Sequence, residues 1–466
     1  MFRHFFTNSA GIFLSRILGF FRDLLIASHL GASVYSDIFI IAFKLPNLFR
    51  RLFGEGAFTQ AFLPHLVKVR KKGLFIAEML LSFLAIMLIL SALVMVFAPQ
   101  FTKLLAWGFD DEKIALAVPL VRINFWYLIL IFVVTLFAGL LQYKNHFTTS
   151  AFSTALLNIS MIGALLISSD LGASRAVFYL SWGVVLGGVL QVLIHIFMLY
   201  RLNFLKIIIL GLKKFSLGKR SDNKGFWSSF GAGVVGSSTA QLNDFISSLI
   251  ASFLLTGAVS YLYYTNRIFQ LPLALFAIAL STAIFPKISK QIKANNDIAA
   301  FNLLSKGFYF LFFLLVFSSI GGIILAKPIM WLLFERGEFV RNDTIECAFV
   351  LQMTLLGLLP FGLYKLFSLW LYAKMKQKLA AKISIIALFI NVAFCLILFD
   401  FGAAGLALAS SISGYFVFFA VIYYFGFLNF LKILKDKKFI YIMLSSVVFA
   451  VLLWQINKYI ENFLWI

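Results

Sequence analysis

Arg16, Arg22, Lys44, Arg50, Arg51, Arg122, Arg267 and Lys365 stand in stretches that are otherwise Leu, Ile, Phe and Val, and so do Asp23, Asp37, Glu55 and Asp244. A charge at the centre of a bilayer costs about 2.5–3.5 kcal/mol on insertion scales, so such residues persist where they face water, a partner or a ligand. Eight cations meet four carboxylates here, and complete pairing still leaves four positive charges (eight minus four). An anion supplies what is missing, and the planar fork of arginine suits phosphate or carboxylate. The chemistry on offer is anion binding in a polar cavity. Internal pairing of Arg22 or Arg16 with Asp23 or Asp37 is the alternative for the acidic residues. For Arg51 the alternative is snorkelling to the interface.

Spacing gathers the first group on one face. At about 100° per residue, Gly11, Ser15, Arg16, Gly19, Arg22 and Asp23 fall within roughly 140° of a first helix. The second group lies in "FKLPNLFRRLFGEGAF" (Phe43 to Phe58), which joins Lys44, Arg50, Arg51 and Glu55 to Pro46, Gly54 and Gly56. The proline and glycines are expected to bend this helix so that it lines the cavity.

The elements that must position these residues are membrane helices. The 466 residues are 62% hydrophobic and only 12% charged, against about half and a quarter in soluble domains. Apolar stretches of roughly 20 residues recur throughout, which fits spanning helices and excludes the alternating strands of a barrel. About thirteen spans are predicted, with the polar stretch Gly211 to Gly225 as a connecting loop. No cleavable signal peptide is expected, because the first apolar stretch carries Arg16, Arg22 and Asp23. The formal charge of +22 does not point to nucleic acid. Its clusters "KVRKK", "KMKQK" and "KILKDKK" fall on one side of the membrane when the N-terminus is placed in the cytoplasm, so they set orientation.

The chain also repeats itself. "DIFIIAFKLPNL…AFTQAFLP" (Asp37 to Pro64) parallels "YYTNRIFQLPLALFAIALSTAIFP" (Tyr263 to Pro286), each with Leu-Pro in mid-helix. "LLNISMIGALLISSDLGA" (Leu156 to Ala173) parallels "LFINVAFCLILFDFGAAG" (Leu388 to Gly405). Parallel repeats of this kind build transporters with a substrate site at the repeat interface. The expected organisation is a six-helix lobe over 1–205, a basic cytoplasmic linker over 206–225, a second six-helix lobe over 226–430, and an additional helix over 431–466.

Enzymatic motifs are missing. The five histidines are scattered, Cys347 and Cys395 are isolated, and no Walker lysine or nucleophile elbow is present. Asp110-Asp111-Glu112 reads as a solvated turn. The glycines of "WGVVLGG" (Trp182 to Gly188) and "GAGVVGSS" (Gly231 to Ser238) read as helix-packing contacts.

The stretch "SRILGFFRDLLIASHLGASVYSDIFIIAFKLPNLFRRLFGEGAFTQAFLP" (Ser15 to Pro64) closely resembles the signature of the MurJ (MviN) family. Further resemblance lies in "LLNISMIGALL", "WGVVLGGVLQ", "ASFLLTGAVSYLYYTNRIFQLPLALFAIALSTAIFPKISK" and "LFERGEF". Those proteins are lipid II flippases of bacterial peptidoglycan synthesis, in the multidrug/oligosaccharidyl-lipid/polysaccharide (MOP) exporter superfamily. The resemblance implies an all-α, MATE-like fold with a V-shaped central cavity in the bacterial cytoplasmic (inner) membrane. It implies a transporter and not an enzyme, acting by alternating access. The expected substrate is lipid II, an undecaprenyl diphosphate bearing MurNAc-pentapeptide and GlcNAc. A flippase for another polyprenyl-diphosphate oligosaccharide and an inactive scaffold of the cell-wall machinery are the alternatives. Membrane lipids and other cell-wall synthesis proteins are the further partners, and a monomer is expected.

Matched by motif position, the family's cavity arginines fall on Arg16, Arg22, Arg50 and Arg267, with Lys44 beside them. Asp23, Asp37 and Glu55 match pairing or gating positions. Asn266 stands where many members have Asp. Many members have fourteen helices, whereas only one is predicted here after residue 430. Some members bind sodium through an Asp of helix 7. The matching position is Ser247, with Asp244 a turn earlier, so no cofactor is expected and sodium stays open.

Overall fold

The computed structural model describes residues 2–50 and 58–464, and every regular element among them is helical. The chain divides into two compact units, Met1–Phe253 and Leu254–Ile466.

The first unit begins with α1 (Phe2–Leu30), α2 (Val34–Phe49) and α3 (Phe58–Lys68). There follow α4 (Lys72–Val96), α5 (Ala98–Leu105) and α6 (Asp111–Tyr143). The unit closes with α7 (Thr148–Ile167), α8 (Ala173–Arg201), α9 (Phe204–Ser216) and α10 (Lys224–Ala251). Local chemistry fixes several ends. Ser33 caps α2, its hydroxyl accepting from Tyr35 N at 3.2 Å while Ser33 N donates to Ser36 Oγ at 2.9 Å. Asp110 caps α6 by accepting from Lys113 N at 2.8 Å, and Asp111 and Glu112 sit in that first turn. The acidic triplet is therefore a helix start whose charges suit the positive end of the helix dipole.

α7 and α8 pack closely. A Cβ on Gly187 would lie 2.8 Å from the Leu157 Cα, and one on Gly183 would lie 2.8 Å from the Ala164 Cβ. The "WGVVLGG" glycines thus bring two helix backbones together, as small residues do in membranes. Ser160 Oγ reinforces the contact by donating to the Gly183 carbonyl at 2.8 Å.

Two features differ from the expected linker and lobe boundary. Residues 206–216 of the expected linker belong to α9, a helix with Phe204 and Ile208 buried on α4 and with Lys206, Lys213 and Lys214 exposed. α10 also belongs, by contact, to the first unit. Phe226 is fully buried, with ring centroids 5.9 Å from both Phe58 and Phe75, and Trp227 stacks on Phe83 at 5.1 Å. Aromatic pairs of this geometry contribute about 0.5–1.5 kcal/mol each, enough collectively to hold the start of α10.

The second unit starts with α11 (Ala258–Pro272), which runs through a π-helical turn (Leu273–Ile278) into α12 (Ala279–Lys293). It continues with α13 (Asp297–Ile324), α14 (Ala326–Phe334), α15 (Arg341–Leu355) and α16 (Leu358–Ala373). The last elements are α17 (Gln377–Ile397), α18 (Gly402–Phe425), α19 (Phe427–Leu434) and α20 (Lys437–Leu464). α20 packs on α13, with Phe449 and Phe317 centroids 4.8 Å apart.

The second Leu-Pro repeat disturbs its helix. Pro46 sits inside α2, which continues to Phe49, whereas α11 passes at Pro272 into the wider π turn. Proline lacks the N–H and crowds the carbonyl four residues back, so the ladder opens there. The Asp-x-Gly-Ala repeats share geometry, because Gly172 and Gly402 have φ of +76° and +62°. A side chain there would be strained.

Among the described residues, ten helical stretches are long and apolar enough to cross a membrane. The other three spans expected from sequence correspond to α1, to α2 with α3, and to α10; in-span charges are concentrated in the first two, and α10 is rich in Ser and Gly.

Candidate substrate-binding site

The charged face of α1 is set by its contact with α7. Arg22 is 8% exposed and Asp23 2% exposed. Asp23 Oδ1 accepts from Arg22 Nε at 3.0 Å and from Nη2 at 2.6 Å. Arg22 Nη1 donates to Asn158 Oδ1 at 2.8 Å, and Asn158 Nδ2 donates to the Ser15 carbonyl at 2.9 Å. Gly19 faces this amide, and a Cβ there would stand in ordinary contact, 3.4 Å from Asn158 Nδ2. Arg22 therefore has the internal pairing that stood as the alternative from sequence, with an added neutral acceptor. It acts here as a positioning residue that holds α1 to α7. Arg16 is exposed and has no ion-pair partner among the described residues.

On α2, Asp37 is 3% exposed in the first turn, while Lys44 and Arg50 are half-buried. Lys44 Nζ donates to Ser248 Oγ of α10, and that hydroxyl donates in turn to the Phe245 carbonyl at 2.9 Å. Arg50 Nε donates to Asn47 Oδ1 at 3.0 Å. Pro46 is buried one turn before Arg50. Arg51, Gly54, Glu55 and Gly56 lie outside the described residues, as does the side chain of Asp244. Ser247 is half-buried.

In the second unit, Arg267 is half-buried on α11 with its guanidinium 4.4 Å from the Tyr263 ring centroid. That stacking holds the planar cation in place one turn from Tyr263. Asn266 is exposed and accepts from Gln270 Nε2 at 3.2 Å. Arg122 and Lys365 are both exposed. Cys347 and Cys395 are buried and form no disulfide.

Three partners escaped the sequence reading. Asn158 carries a signal, a lone amide in an apolar span, within the repeated stretch Leu156 to Ala173. Ser248 gave none among the many serines of α10. Glu78, a lone carboxylate in α4, is 2% exposed and accepts from Ser221 N at 2.8 Å and from the Ser221 hydroxyl. It ties the segment between α9 and α10 to α4.

The sequence profile described as lipid II flippase MurJ matches residues 26–465. The chain belongs to the MurJ family. A Helicobacter pylori (strain J99) relative described as "Probable lipid II flippase MurJ" is 50% identical over 424 residues, covering 88% of this chain and 92% of the relative. The solved structure of lipid II flippase MurJ in an inward closed conformation superposes with a TM-score of 0.78 at 26% identity, over 98% of this chain and 99% of that one. An inward-facing MATE family transporter of the MOP superfamily shares the fold, with a TM-score of 0.70 at 13% identity over 91% and 96% of the two chains. Membership of MurJ makes this a multi-pass membrane transporter and not an enzyme.

Proposed function

We propose that this chain moves lipid II from the inner to the outer leaflet of the bacterial cytoplasmic membrane, with access to its cations alternating between the two faces. The observation that carries this reading is the MurJ match across residues 26–465. The in-span cations of α1, α2 and α11 support it. Arg16, Lys44, Arg50 and Arg267 engage the diphosphate and the acidic headgroup, and Arg22 fixes the face on which Arg16 stands. The polyprenyl tail stays in lipid. The widened π turn at Leu273–Ile278 lets the α11–α12 helix change its bend as access alternates.

The N-terminus is cytoplasmic in this reading, which puts Lys68–Lys72, Lys374–Lys378 and Lys432–Lys438 on the inner side. A charge crossing the membrane field gains about 2.3 kcal/mol per 100 mV, so the membrane potential is sufficient to reset an unloaded carrier. Complementation tests the reading. In a strain depleted of its own MurJ-family flippase, expression of this chain restores growth and outer-leaflet lipid II. Lysis with lipid II trapped in the inner leaflet, despite normal expression, contradicts it.

A further inference from the structure

The second unit holds a cavity of about 550 Å³ at the end where α13, α16, α18 and α19 bring lysines together. Its polar wall carries Lys374, Lys376, Lys432 and Asp297, and Trp370 and Phe301 form its apolar wall. Lys374 Nζ is bonded to Asp297 Oδ2 at 2.8 Å and lies 4.6 Å from the Trp370 ring centroid. Its charge is thereby matched within the protein. Lys376 and Lys432 are exposed, and their ammonium groups have no ion pair or hydrogen bond among the described residues. Three lysines against one carboxylate leave the cavity with two positive charges.

The walls are held in place. Gly426, at φ +105°, breaks α18 from α19. Phe425 packs on Trp370 at 5.2 Å and stacks on Phe301 at 6.2 Å. Beyond the break, Phe430 packs edge-on to Phe367 at 5.6 Å, and the Tyr309 hydroxyl donates to the Ile433 carbonyl. α19 is thus pinned between one membrane span that ends at Phe425 and another that starts at Lys437. That position lies at a membrane boundary. Phe427 and Leu428 are 59% and 75% exposed on α19, and Ile298, itself part of the cavity wall, is 77% exposed.

We propose that this cavity binds the headgroup of an anionic glycerophospholipid from the adjacent leaflet, with Lys376 and Lys432 on the phosphate. Two unmatched ammonium groups suit one phosphate diester, and basic pockets between membrane helices take such headgroups. The cavity falls in the ordinary size range of ligand sites, about 300–1,000 Å³. The exposed Ile298, Phe427 and Leu428 give the acyl chains an apolar exit, which a free phosphate would not use. None of the in-span cations lines this cavity, and the site does not depend on the lipid II reading.

Native mass spectrometry of the purified full-length protein tests this. After exchange into phosphatidylglycerol, the wild type retains one lipid per chain, whereas phosphatidylcholine is not retained. Lys376→Glu/Lys432→Glu lowers retention at least tenfold, and Lys376→Gln/Lys432→Gln, which only removes charge, lowers it less. Lys378→Glu/Lys382→Glu, the same charge change on exposed lysines outside the cavity, stays within twofold of wild type. Millimolar inorganic phosphate leaves the lipid bound. Wild-type retention by both cavity variants, equal loss in the control, or displacement by inorganic phosphate would each overturn the site.

Discussion

Arg22 on α1 donates to Asn158 on α7 at 2.8 Å, and the same amide holds the Ser15 carbonyl at 2.9 Å. One neutral side chain thus ties two points of the polar face of α1 to the first unit. Asp23 neutralises the arginine from the same helix. The exposed Arg16 is in this way carried on a helix that cannot rotate freely.

Breaking that pair should be costly. Asp23→Ala leaves a buried guanidinium without its counter-charge, and the loss is expected at about 3–5 kcal/mol. Replacing both partners, Arg22→Met with Asp23→Leu, should cost less than Asp23→Ala alone, because no buried charge remains. Thermal unfolding in detergent, run as a double-mutant cycle, reads both values.

Asn158→Leu removes the bridge but keeps the volume. The Arg22 and Ser15 groups then lose an amide partner, with an expected loss of about 1–3 kcal/mol. Hydrogen exchange should rise along α1 around Ser15 and stay unchanged in α13.

Gly187→Val drives a side chain into the backbone of α7, where a Cβ would sit 2.8 Å from the Leu157 Cα. Overpacking of this kind costs about 1–3 kcal/mol. The loss should appear as a lower melting temperature, whereas Gly231→Val, which meets open space, should leave it unchanged.

Glu78 should act as a latch. Its carboxylate takes both the N–H and the hydroxyl of Ser221, and hydrogen bonds to charged groups contribute about 1.5–3 kcal/mol. Glu78→Ala is expected to speed proteolysis between residues 217 and 223 several-fold. Ser221→Ala, which keeps the backbone bond, should have a smaller effect.

Much of this was legible in the sequence because lipid makes composition decisive. Charges in apolar runs stand out, and Arg16, Arg22, Lys44 and Arg267 were found that way. The second Leu-Pro likewise marks where α11 loses regularity. What could not be read was the partner of each charge. Arg22 carries the same cost in a span whether it meets a ligand or Asp23 with Asn158, and only tertiary contact distinguishes the two. α9 was missed for a related reason. Its lysines made it read as a loop, although Phe204, Ile208 and Gly211 form a buried stripe on α4. The place of α10 in the first unit depends on Phe226 entering a cluster drawn from α3 and α4, which no local pattern encodes.

In the function proposed above, the cations outside the Arg22–Asp23 pair carry the headgroup across. The most direct measurement is the rate at which lipid II reaches the outer leaflet in cells depending on this chain. The variant Arg16→Gln with Lys44→Gln alters an exposed and a half-buried cation and leaves the buried pair intact. At normal expression its rate should fall at least tenfold, with Ser248→Ala close to wild type. A wild-type rate in the double variant would contradict the cation site.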